Sequence, residues 1–400
     1  MAAAPAAAPV RGRGPAAALA LALALALALV LAVLAAAPPA RAEPTVTAEG
    51  AVLWEPASAA RIVDVAADEA RPMASTTKIM TALLALEEAG PDEVVTVSAN
   101  AAEVGRTPGG ATLRLEEGQE LAMEHLVAGI LLESGNDGAV AIAEHLAGSE
   151  EAFAERMNAR AAEAGLVDTT FRNSSGLPAD PEHIASPADL AELGAIAMAD
   201  ATFAETVGQS ALEAPVVGRL DNRNELLDTY EGATGVKTGF TSLAGLCLVA
   251  SAERDGRTLY AVVLGSDDSF ADSAALLDHG FDTTRLVSVD DDEPLLRYRW
   301  ADAEAPLVLA DGLAETLPAE AEVTAEATLD ASLGRPAPAG AAAGELVVSV
   351  DGEAVATQEL RLAAPVEAAA EASGASAVGA ALADGLRGLA RLAPAEVEVD

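Results

Sequence analysis

Short apolar segments, typical of β-strands, stand at both ends of the region between residues 51 and 265. Near its start, AVLWEP (51–56) and ARIVDV (60–65) are separated by a turn of small residues. Near its end, LAGLCLVASAE and TLYAVVLG are separated by a segment that contains Asp255 and Gly256. An Asp-Gly pair between two apolar runs predicts a β-hairpin.

Helical patterns fill the chain between these strands. A helix is predicted from about Ser75, because apolar residues recur densely after it and the pair Gly90 and Pro91 ends the pattern. Two further apolar helices are predicted over 121–132 and 138–146, interrupted by the polar segment ESGND. From there to about Thr206 the pattern stays helical, with a turn at SSGLPADP and others elsewhere.

Strands at both ends with helices between them predict an α+β fold, in which an antiparallel sheet gathers the two ends and a helical cluster packs against it. After about Asp290 the pattern changes to short alternating segments, PLVLA, EVTAEATL, ELVVSV and EAVATQELRL. These segments predict a separate small all-β domain that ends near Leu362.

The two ends of the chain are not typical of a folded core. Residues 1–42 combine Arg11 and Arg13, an apolar run over 16–37 and a small-residue end, which predicts an export signal cleaved before Glu43, with an uncleaved membrane anchor as the alternative. Either reading places the rest of the chain outside the cytoplasm. Residues 364–400 predict a linker and a short amphipathic helix, which is either a membrane-surface attachment or a frayed surface helix. The chain is therefore predicted to consist of an export signal (1–42), an α+β domain (43–290), a small β domain (291–363) and a linker with a tail (364–400).

Composition narrows the classes of function. A formal net charge of −40 argues against nucleic acid or an anionic membrane face as a partner. The single cysteine, Cys247, excludes an internal disulfide and is predicted to be a small buried residue. The four histidines stand apart with no HExxH motif and no paired cysteines, so no metal site is predicted. No GxSxG motif indicates a hydrolase of that type either.

Lysine is scarce: the sequence contains 21 arginines but only two lysines, Lys78 and Lys237. Ser75 and Lys78 stand three residues apart at a predicted helix start, so their side chains lie on the same side of the helix. A buried lysine can lose its proton and act as a general base toward a neighbouring hydroxyl, whereas an arginine stays charged. Free N–H groups at the helix start can also stabilise an oxyanion.

Two more polar motifs follow in order along the chain. Ser134 and Asn136 belong to SGN, in the break between the two apolar helices, and Lys237, Thr238 and Gly239 form KTG just before a predicted strand. Each motif alone is weak, since a polar turn between helices is usually a loop. The ordered set SxxK, SxN and KTG is the pattern of penicilloyl-serine transferases.

With these motifs the sequence resembles a serine-type D-alanyl-D-alanine carboxypeptidase, a low-molecular-mass penicillin-binding protein of peptidase family S11. The resemblance covers about residues 51–281 and includes ASTTKIMTALLALE, LLESGNDGAVAIAEHLAG, FRNSSGLP and GATGVKTGFTSLAGLCLVASAERDG. It implies a β-lactamase/transpeptidase-like fold, with the small β domain as the usual second domain.

The resemblance also implies roles for individual residues. Ser75 resembles the acylated nucleophile and Lys78 its base, while Ser134 and Asn136 resemble the pair that relays protons and holds the substrate amide. The substrate carboxylate would face Lys237 and Thr238, with Gly239 allowing close approach of the strand. The N–H groups of Ser75 and Phe240 would form the oxyanion hole. One position departs from the pattern, since Ser269, before Phe270, stands where many relatives have a carboxylate-binding arginine.

The function implied by this resemblance is removal of the terminal D-alanine from peptidoglycan stem pentapeptides through an acyl-serine intermediate, without a cofactor. Peptidoglycan stem peptides would be the natural partners and β-lactam antibiotics the inhibitors. An endopeptidase that cuts crosslinks with the same residues stays open as an alternative, as does a non-catalytic wall-binding protein. A β-lactamase is disfavoured because no ExxLN segment stands in the expected place.

Overall fold

The computed structural model describes residues 43–215, 217–300 and 303–368. The predicted export signal and the amphipathic part of the tail lie outside these residues and stay predictions. Within the described ranges, none of the helices combines the length and the apolar character that crossing a bilayer would require.

Helices and strands alternate up to Thr283, and the described residues after it form strands but no helix. A 3₁₀ turn spans Ala74–Thr77. The helices are α1 (Lys78–Glu88), α2 (Ala99–Val104), α3 (Met123–Leu132), α4 (Asn136–Ala147), α5 (Glu150–Glu163), α6 (Pro187–Met198), α7 (Ala201–Val207), α8 (Leu226–Thr229) and α9 (Ser269–Thr283). The strands are β1 (Gly50–Glu55), β2 (Ala60–Val65), β3 (Arg71–Pro72), β4 (Val94–Thr96), β5 (Glu120–Ala122), β6 (Ile184–Ala185), β7 (Ala211–Ala214), β8 (Gly218–Asp221), β9 (Ala233–Thr241), β10 (Gly245–Arg254), β11 (Arg257–Ser266), β12 (Thr284–Val289), β13 (Leu296–Arg299), β14 (Glu304–Leu309), β15 (Leu313–Pro318), β16 (Val323–Leu329), β17 (Ala342–Val350) and β18 (Glu353–Leu362).

A five-stranded antiparallel sheet in the order β2-β1-β11-β10-β9 forms the centre of the first region. The predicted hairpin is β10 and β11, closed by Asp255 and Gly256, which both have positive φ. Because β1 pairs with β11, the sheet does gather the two ends of the region. The predicted α+β fold is therefore confirmed.

Both faces of this sheet are buried. On β10, Cys247 and Val249 belong to the apolar core shared with the helical cluster, whereas Leu248 and Ala250 belong to the core on the opposite face, which α9 covers. A strand buried on both faces needs apolar residues at successive positions. This explains why the segment GLCLVAS shows a continuous apolar run and no alternation.

Three element predictions need correction. The helix predicted over 121–132 begins only at Met123, because β5 (Glu120–Ala122) first pairs with β4. The following helix begins at Asn136, two residues before the predicted 138, so the SGN motif is partly helical. No helix was predicted at Ser269–Thr283, although Asp268 caps α9 by accepting a hydrogen bond from the Ala271 N–H.

The C-terminal strands form a sheet in the order β13-β14-β18-β17-β16, next to the antiparallel pair β12-β15. They enclose an apolar core of their own, with Leu307 and Leu360 fully buried. The predicted all-β character of this part is confirmed. β12 begins at residue 284 and pairs with β15, so this pairing starts before the predicted boundary at 291, and the boundary residue itself stays a prediction.

A buried ion pair joins the central sheet to these strands. Arg257 contacts the Glu55 carboxylate through two nitrogens, at 2.8 and 2.9 Å, and Glu55 is fully buried. Arg257 also donates to the Thr284 carbonyl at 2.7 Å, and Thr316 donates to Glu55. The charges of both partners are therefore satisfied where the two parts of the chain meet.

Candidate active site

A cleft of about 270 Å³ lies beside the edge strand β9 and contains most of the predicted site residues. Its walls include the side chains or backbone of six predicted residues and of several that were not predicted. The predicted ones are Ser75, Ser134, Asn136, Thr238, Gly239 and Phe240. The structure thus brings together three motifs that are separated by about 160 residues of sequence.

Ser75 lies on the 3₁₀ turn that leads into α1, and Lys78 is the first residue of the helix. The turn begins with Ala74 at φ +50°, a conformation that a non-glycine residue seldom adopts. With this turn, the Lys78 Nζ lies 2.9 Å from the Ser75 Oγ. The predicted serine and lysine pair is therefore in direct contact.

The Lys78 amine is enclosed completely, with no exposed surface on the side chain. It donates to Asn136 Oδ1 at 2.8 Å and to the Ser175 carbonyl at 2.6 Å, in addition to its contact with Ser75. Burial lowers the pKa of Lys78 well below its usual value, the positive charge of Lys237 lowers it further, and Asp137 partly opposes the effect. A neutral amine is therefore favoured at this position.

The SGN motif places two polar groups on the opposite wall. Ser134 has φ +63° in the break between α3 and α4, and its buried Oγ has no hydrogen-bond partner among the described residues. Asn136 begins α4, and its Oδ1 faces Lys78. A buried hydroxyl without a partner is costly in a folded protein. Ser134 is thus poised to contact a molecule bound in the cleft.

Lys237 lies on β9 and is 1% exposed. Its Nζ donates to the Thr238 carbonyl at 3.2 Å. Burial, and to a smaller extent the charge of Arg223, lower the pKa of Lys237 to about 7. This amine therefore retains a charged fraction near neutral pH.

Arg223 was not predicted individually, yet it lines the same cleft. It follows β8, is half-exposed, and lies 3.4 Å from the Glu133 carboxylate. Ser269, at the position where the resemblance implies an arginine, also lines the cleft at the start of α9. Arg223 is therefore a positively charged residue in the lining of this cleft, whereas Ser269 contributes no charge. No periodicity in the segment DNRNELL could have identified it, because its position depends on tertiary packing.

Cys247 was predicted as a small buried residue, and it is 1% exposed. It also lines the cleft, since β10 pairs it with Gly239 on β9. Burial raises the pKa of the Cys247 thiol to about 11, so the thiol stays protonated. Among the described residues, no group of three or more His, Cys, Asp or Glu side chains is arranged to hold a metal ion.

An α+β fold with a serine and a buried lysine in contact, an SxN turn opposite them and KTG on the edge strand defines the β-lactamase/transpeptidase-like class. The chain belongs to the D-alanyl-D-alanine carboxypeptidase family, peptidase family S11, whose family model matches residues 37–268. The family resemblance inferred from the motifs is thus confirmed.

Individual relatives agree with this assignment. The D-alanyl-D-alanine carboxypeptidase DacF of Bacillus subtilis is 34% identical over 224 residues, which cover 55% of this chain and 57% of DacF. That of Streptomyces sp. strain K15 is 32% identical over 261 residues, which cover 60% of this chain and 89% of the relative. The chain thus spans little more than half the length of DacF.

A solved structure extends the similarity into the C-terminal part. Penicillin-binding protein 5 from Haemophilus influenzae superposes with a TM-score of 0.69 at 28% identity, and the match covers 82% of this chain and 99% of that one. Penicillin-binding protein 6B from Escherichia coli gives a TM-score of 0.67 at the same identity, with 80% and 97% covered.

Proposed function

We propose that this chain is a serine-type D-alanyl-D-alanine carboxypeptidase that removes the terminal D-alanine from peptidoglycan stem pentapeptides. The observation that carries the proposal is the contact of 2.9 Å between the Ser75 hydroxyl and the fully buried amine of Lys78. The family to which the chain belongs, and the names of its relatives, support the same substrate class.

In the first step, the Ser75 Oγ attacks the carbonyl carbon between the two D-alanines and its proton moves to Lys78. This transfer requires a neutral amine, which the lowered pKa of Lys78 provides. The developing oxyanion would be held by the N–H groups of Ser75 and Phe240, two residues that line the cleft.

Collapse of this intermediate breaks the C–N bond and leaves an ester on Ser75. The leaving amine needs a proton, and we assign its relay to the buried, unpartnered Ser134 hydroxyl, with Lys78 as the source. The amide of Asn136 would hold the substrate amide in the acyl-enzyme. Water then attacks the ester carbonyl and gives one proton to Lys78. The bond between the acyl carbon and Ser75 Oγ breaks, Lys78 returns this proton to Ser75, and the peptide leaves as a carboxylic acid.

The terminal carboxylate of the substrate would face Lys237 and Thr238 on β9. Because Ser269 offers no charge, we assign part of this recognition to Arg223, which lines the same cleft. Gly239 allows β9 to lie against the 3₁₀ turn Ala74–Thr77, called here the nucleophile turn because it carries Ser75. A β-lactam carries a carboxylate and a reactive amide carbonyl, so the same contacts would admit it as an inhibitor that acylates Ser75.

The proposal is tested by incubating the purified protein with a fluorescent penicillin and, separately, with a stem pentapeptide and a crosslinked dimer peptide. We expect covalent label on Ser75, release of D-alanine from the pentapeptide, and little cleavage of the dimer. Cleavage of the dimer at a higher rate would indicate an endopeptidase instead, and rapid turnover of penicillin a β-lactamase.

Two variants make the test specific. Ser75→Ala should lose all covalent label while unfolding at the same temperature as the wild type. Ser332→Ala, which alters an exposed serine in the connection between β16 and β17, should label normally. Stoichiometric label on Ser75→Ala would refute the assignment of the nucleophile, and neither label nor D-alanine release in the wild type would favour a non-catalytic wall-binding protein.

Peptidoglycan lies outside the cytoplasmic membrane, so this function requires an extracytoplasmic location. We therefore propose that the chain is exported through its N-terminal segment, in agreement with the signal pattern in residues 1–42. Detection of the folded protein in an extracytoplasmic fraction, and its loss from that fraction when residues 1–42 are removed, would test this part.

A further inference from the structure

The segment NSSGLP, residues 173–178 and called here the NSSGLP loop, packs beneath the nucleophile turn and α1. The Ser175 carbonyl accepts from Lys78 Nζ at 2.6 Å, and the Ser174 carbonyl accepts from Thr81 Oγ1 at 2.6 Å. Gly176 has φ +86°, and a β-carbon there would overlap the Ala74 carbonyl oxygen. The loop is therefore fitted against both residues that carry the proposed chemistry.

The contacts of Lys78 define how a neutral amine must be oriented. A neutral amine has two N–H donors and one lone pair. Asn136 Oδ1, at 2.8 Å, and the Ser175 carbonyl, at 2.6 Å, can only accept hydrogen bonds, so each takes one N–H. The third neighbour, the Ser75 hydroxyl at 2.9 Å, is able to donate. The lone pair therefore faces the proton that it has to remove.

We propose that the NSSGLP loop positions the base, with Asn173 holding the Ser175 carbonyl so that the lone pair of Lys78 is directed at Ser75. Asn173 acts through the backbone and is a positioning residue. This inference rests on the proposed function of Ser75 and Lys78.

Asn173 is suited to this task because its side chain is 6% exposed and is bonded to the loop at both of its polar atoms. Its Oδ1 accepts from the Gly176 N–H at 2.7 Å and from the Ser175 N–H at 3.2 Å. Its Nδ2 donates to the Pro178 carbonyl at 3.2 Å. The Gly176 N–H belongs to the same peptide group as the Ser175 carbonyl, and the Ser175 N–H belongs to the peptide group before it. Holding both N–H groups therefore fixes the direction of the Ser175 carbonyl.

The loop also affects the charge equilibrium of Lys78. Lys237 on β9 and Arg223 after β8 disfavour the ammonium form, whereas Asp137 on α4 and Glu150 on α5 favour it. The oxygen of the Ser175 carbonyl, which carries partial negative charge, favours the ammonium as well. Moving this oxygen away should therefore lower the pKa of Lys78 further, and the acid limb of the acylation profile should move to lower pH.

The experiment measures acylation by a fluorescent penicillin in single turnovers, over a range of concentrations and pH, for Asn173→Ala. We expect the limiting acylation rate to fall by about tenfold or more, a part of the 10²- to 10⁴-fold effect of a general base. The half-saturating concentration should stay unchanged, because Asn173 does not line the cleft. The acid limb should move to lower pH.

Asn158→Ala is the matched control. Asn158 makes the same kind of bonds two residues upstream of the loop, accepting from the Phe171 N–H and donating to the Phe171 carbonyl, both at 2.8 Å. This variant should lose stability and keep the wild-type acylation rate and pH profile. Asn173→Asp keeps the acceptor oxygen and should recover most of the limiting rate. This variant therefore separates the loss of the acceptor from a general misfolding of Asn173→Ala.

Equal acylation defects in the two alanine variants would overturn the inference, as would an unchanged limiting rate in Asn173→Ala. A shift of the acid limb to higher pH would also overturn it, because the loop would then act by excluding water. Failure of the wild type itself to label at Ser75 would instead refute the proposed function, so the two failures are distinguishable.

Discussion

Gly239 on β9 lies so close to the nucleophile turn that a β-carbon at this position would be 3.0 Å from the backbone nitrogen of Ser75. The same β-carbon would lie 3.1 Å from the Ala74 side chain and 3.2 Å from the Met73 carbonyl. The Ser75 nitrogen is one of the two proposed oxyanion donors. The absence of a side chain at Gly239 therefore sets the separation between the strand and the oxyanion hole.

Gly239→Ala should consequently impair acylation more than stability. The added methyl group would push β9 away from the turn and misplace an oxyanion donor, whose loss typically costs about 10²- to 10³-fold in rate. The acylation rate constant with a chromogenic β-lactam is the measurement. Gly334→Ala, at a site with no atom within 4 Å of the added carbon, should behave as the wild type.

Lys78→Arg should reduce the acylation rate by at least about 10²-fold, because arginine keeps the charge and has no accessible neutral form. The side chain is fully buried, so the larger guanidinium must also displace one of its oxygen partners. Single-turnover labelling with penicillin is the measurement. A rate close to that of the wild type would contradict the assignment of Lys78 as the base.

Lys237→Arg should give a milder defect that appears mainly in substrate binding. The proposed task of Lys237 is to meet a carboxylate, which a guanidinium can also do, although its planar head differs in shape. We expect a higher half-saturating concentration and a limiting acylation rate within about tenfold of the wild type. If saturation were normal and only the limiting rate fell, the division of roles between the two lysines would be wrong.

His183 should make stability depend on pH. Its Nδ1 accepts from the Arg172 N–H at 3.0 Å, so its Nε2 carries the proton and donates to Thr77 Oγ1 at 2.6 Å. Burial lowers the pKa of His183 from 6.5 to about 4. The unfolded chain therefore binds a proton more readily, and the contribution of His183, present above pH 6.5, is lost as pH falls toward 4.

His183→Gln removes this titration. The difference in unfolding free energy between the wild type and the variant should therefore shrink between about pH 7.5 and about pH 4.5, by up to about 1.4 kcal/mol per pH unit. Urea unfolding of both proteins at several pH values is the measurement. A difference that stays constant with pH would show that folding does not lower the pKa of His183.

The ion pair of Arg257 and Glu55 should matter for stability and leave the chemistry intact. Arg257→Met leaves the fully buried Glu55 without its cation and should cost about 3–5 kcal/mol of unfolding free energy. Combining it with Glu55→Leu should restore part of this loss, because no buried charge is then left unpaired. Acylation rates of whichever variants fold should match the wild type within about threefold.

Local sequence patterns correctly predicted those parts of the fold that depend on residues close together in the chain. The Asp-Gly hairpin of β10 and β11 and the contact of Ser75 with Lys78 follow from spacing and turn chemistry, and both were predicted. The start of the helix predicted over 121–132 was misplaced, because β5 pairs with β4, a strand about 25 residues earlier that the local pattern does not include. Segments with mixed composition, such as the one that forms α9, carry only a weak periodic signal.

The site was predicted less completely than the fold. The three motifs identified the residues with distinctive chemistry, and the structure brings these residues together. Arg223 and the Ser175 carbonyl were not found, since one depends on tertiary packing and the other is a backbone group that any residue possesses. A backbone acceptor leaves no trace in the residue type that carries it.

The two lysines have a practical consequence beyond the cleft. They are the only lysines of the chain, and their side chains are 0% and 1% exposed, so the exterior of the folded protein displays no ε-amino group. Reagents that couple to amines in water would find no side-chain target there, and a lysine-specific protease would leave the native chain uncut. Any small electrophile that does form an adduct with a side-chain amine must have reached one of these two buried lysines of the site. Such an adduct, detected by a single mass shift, would therefore report occupancy of the site without a substrate.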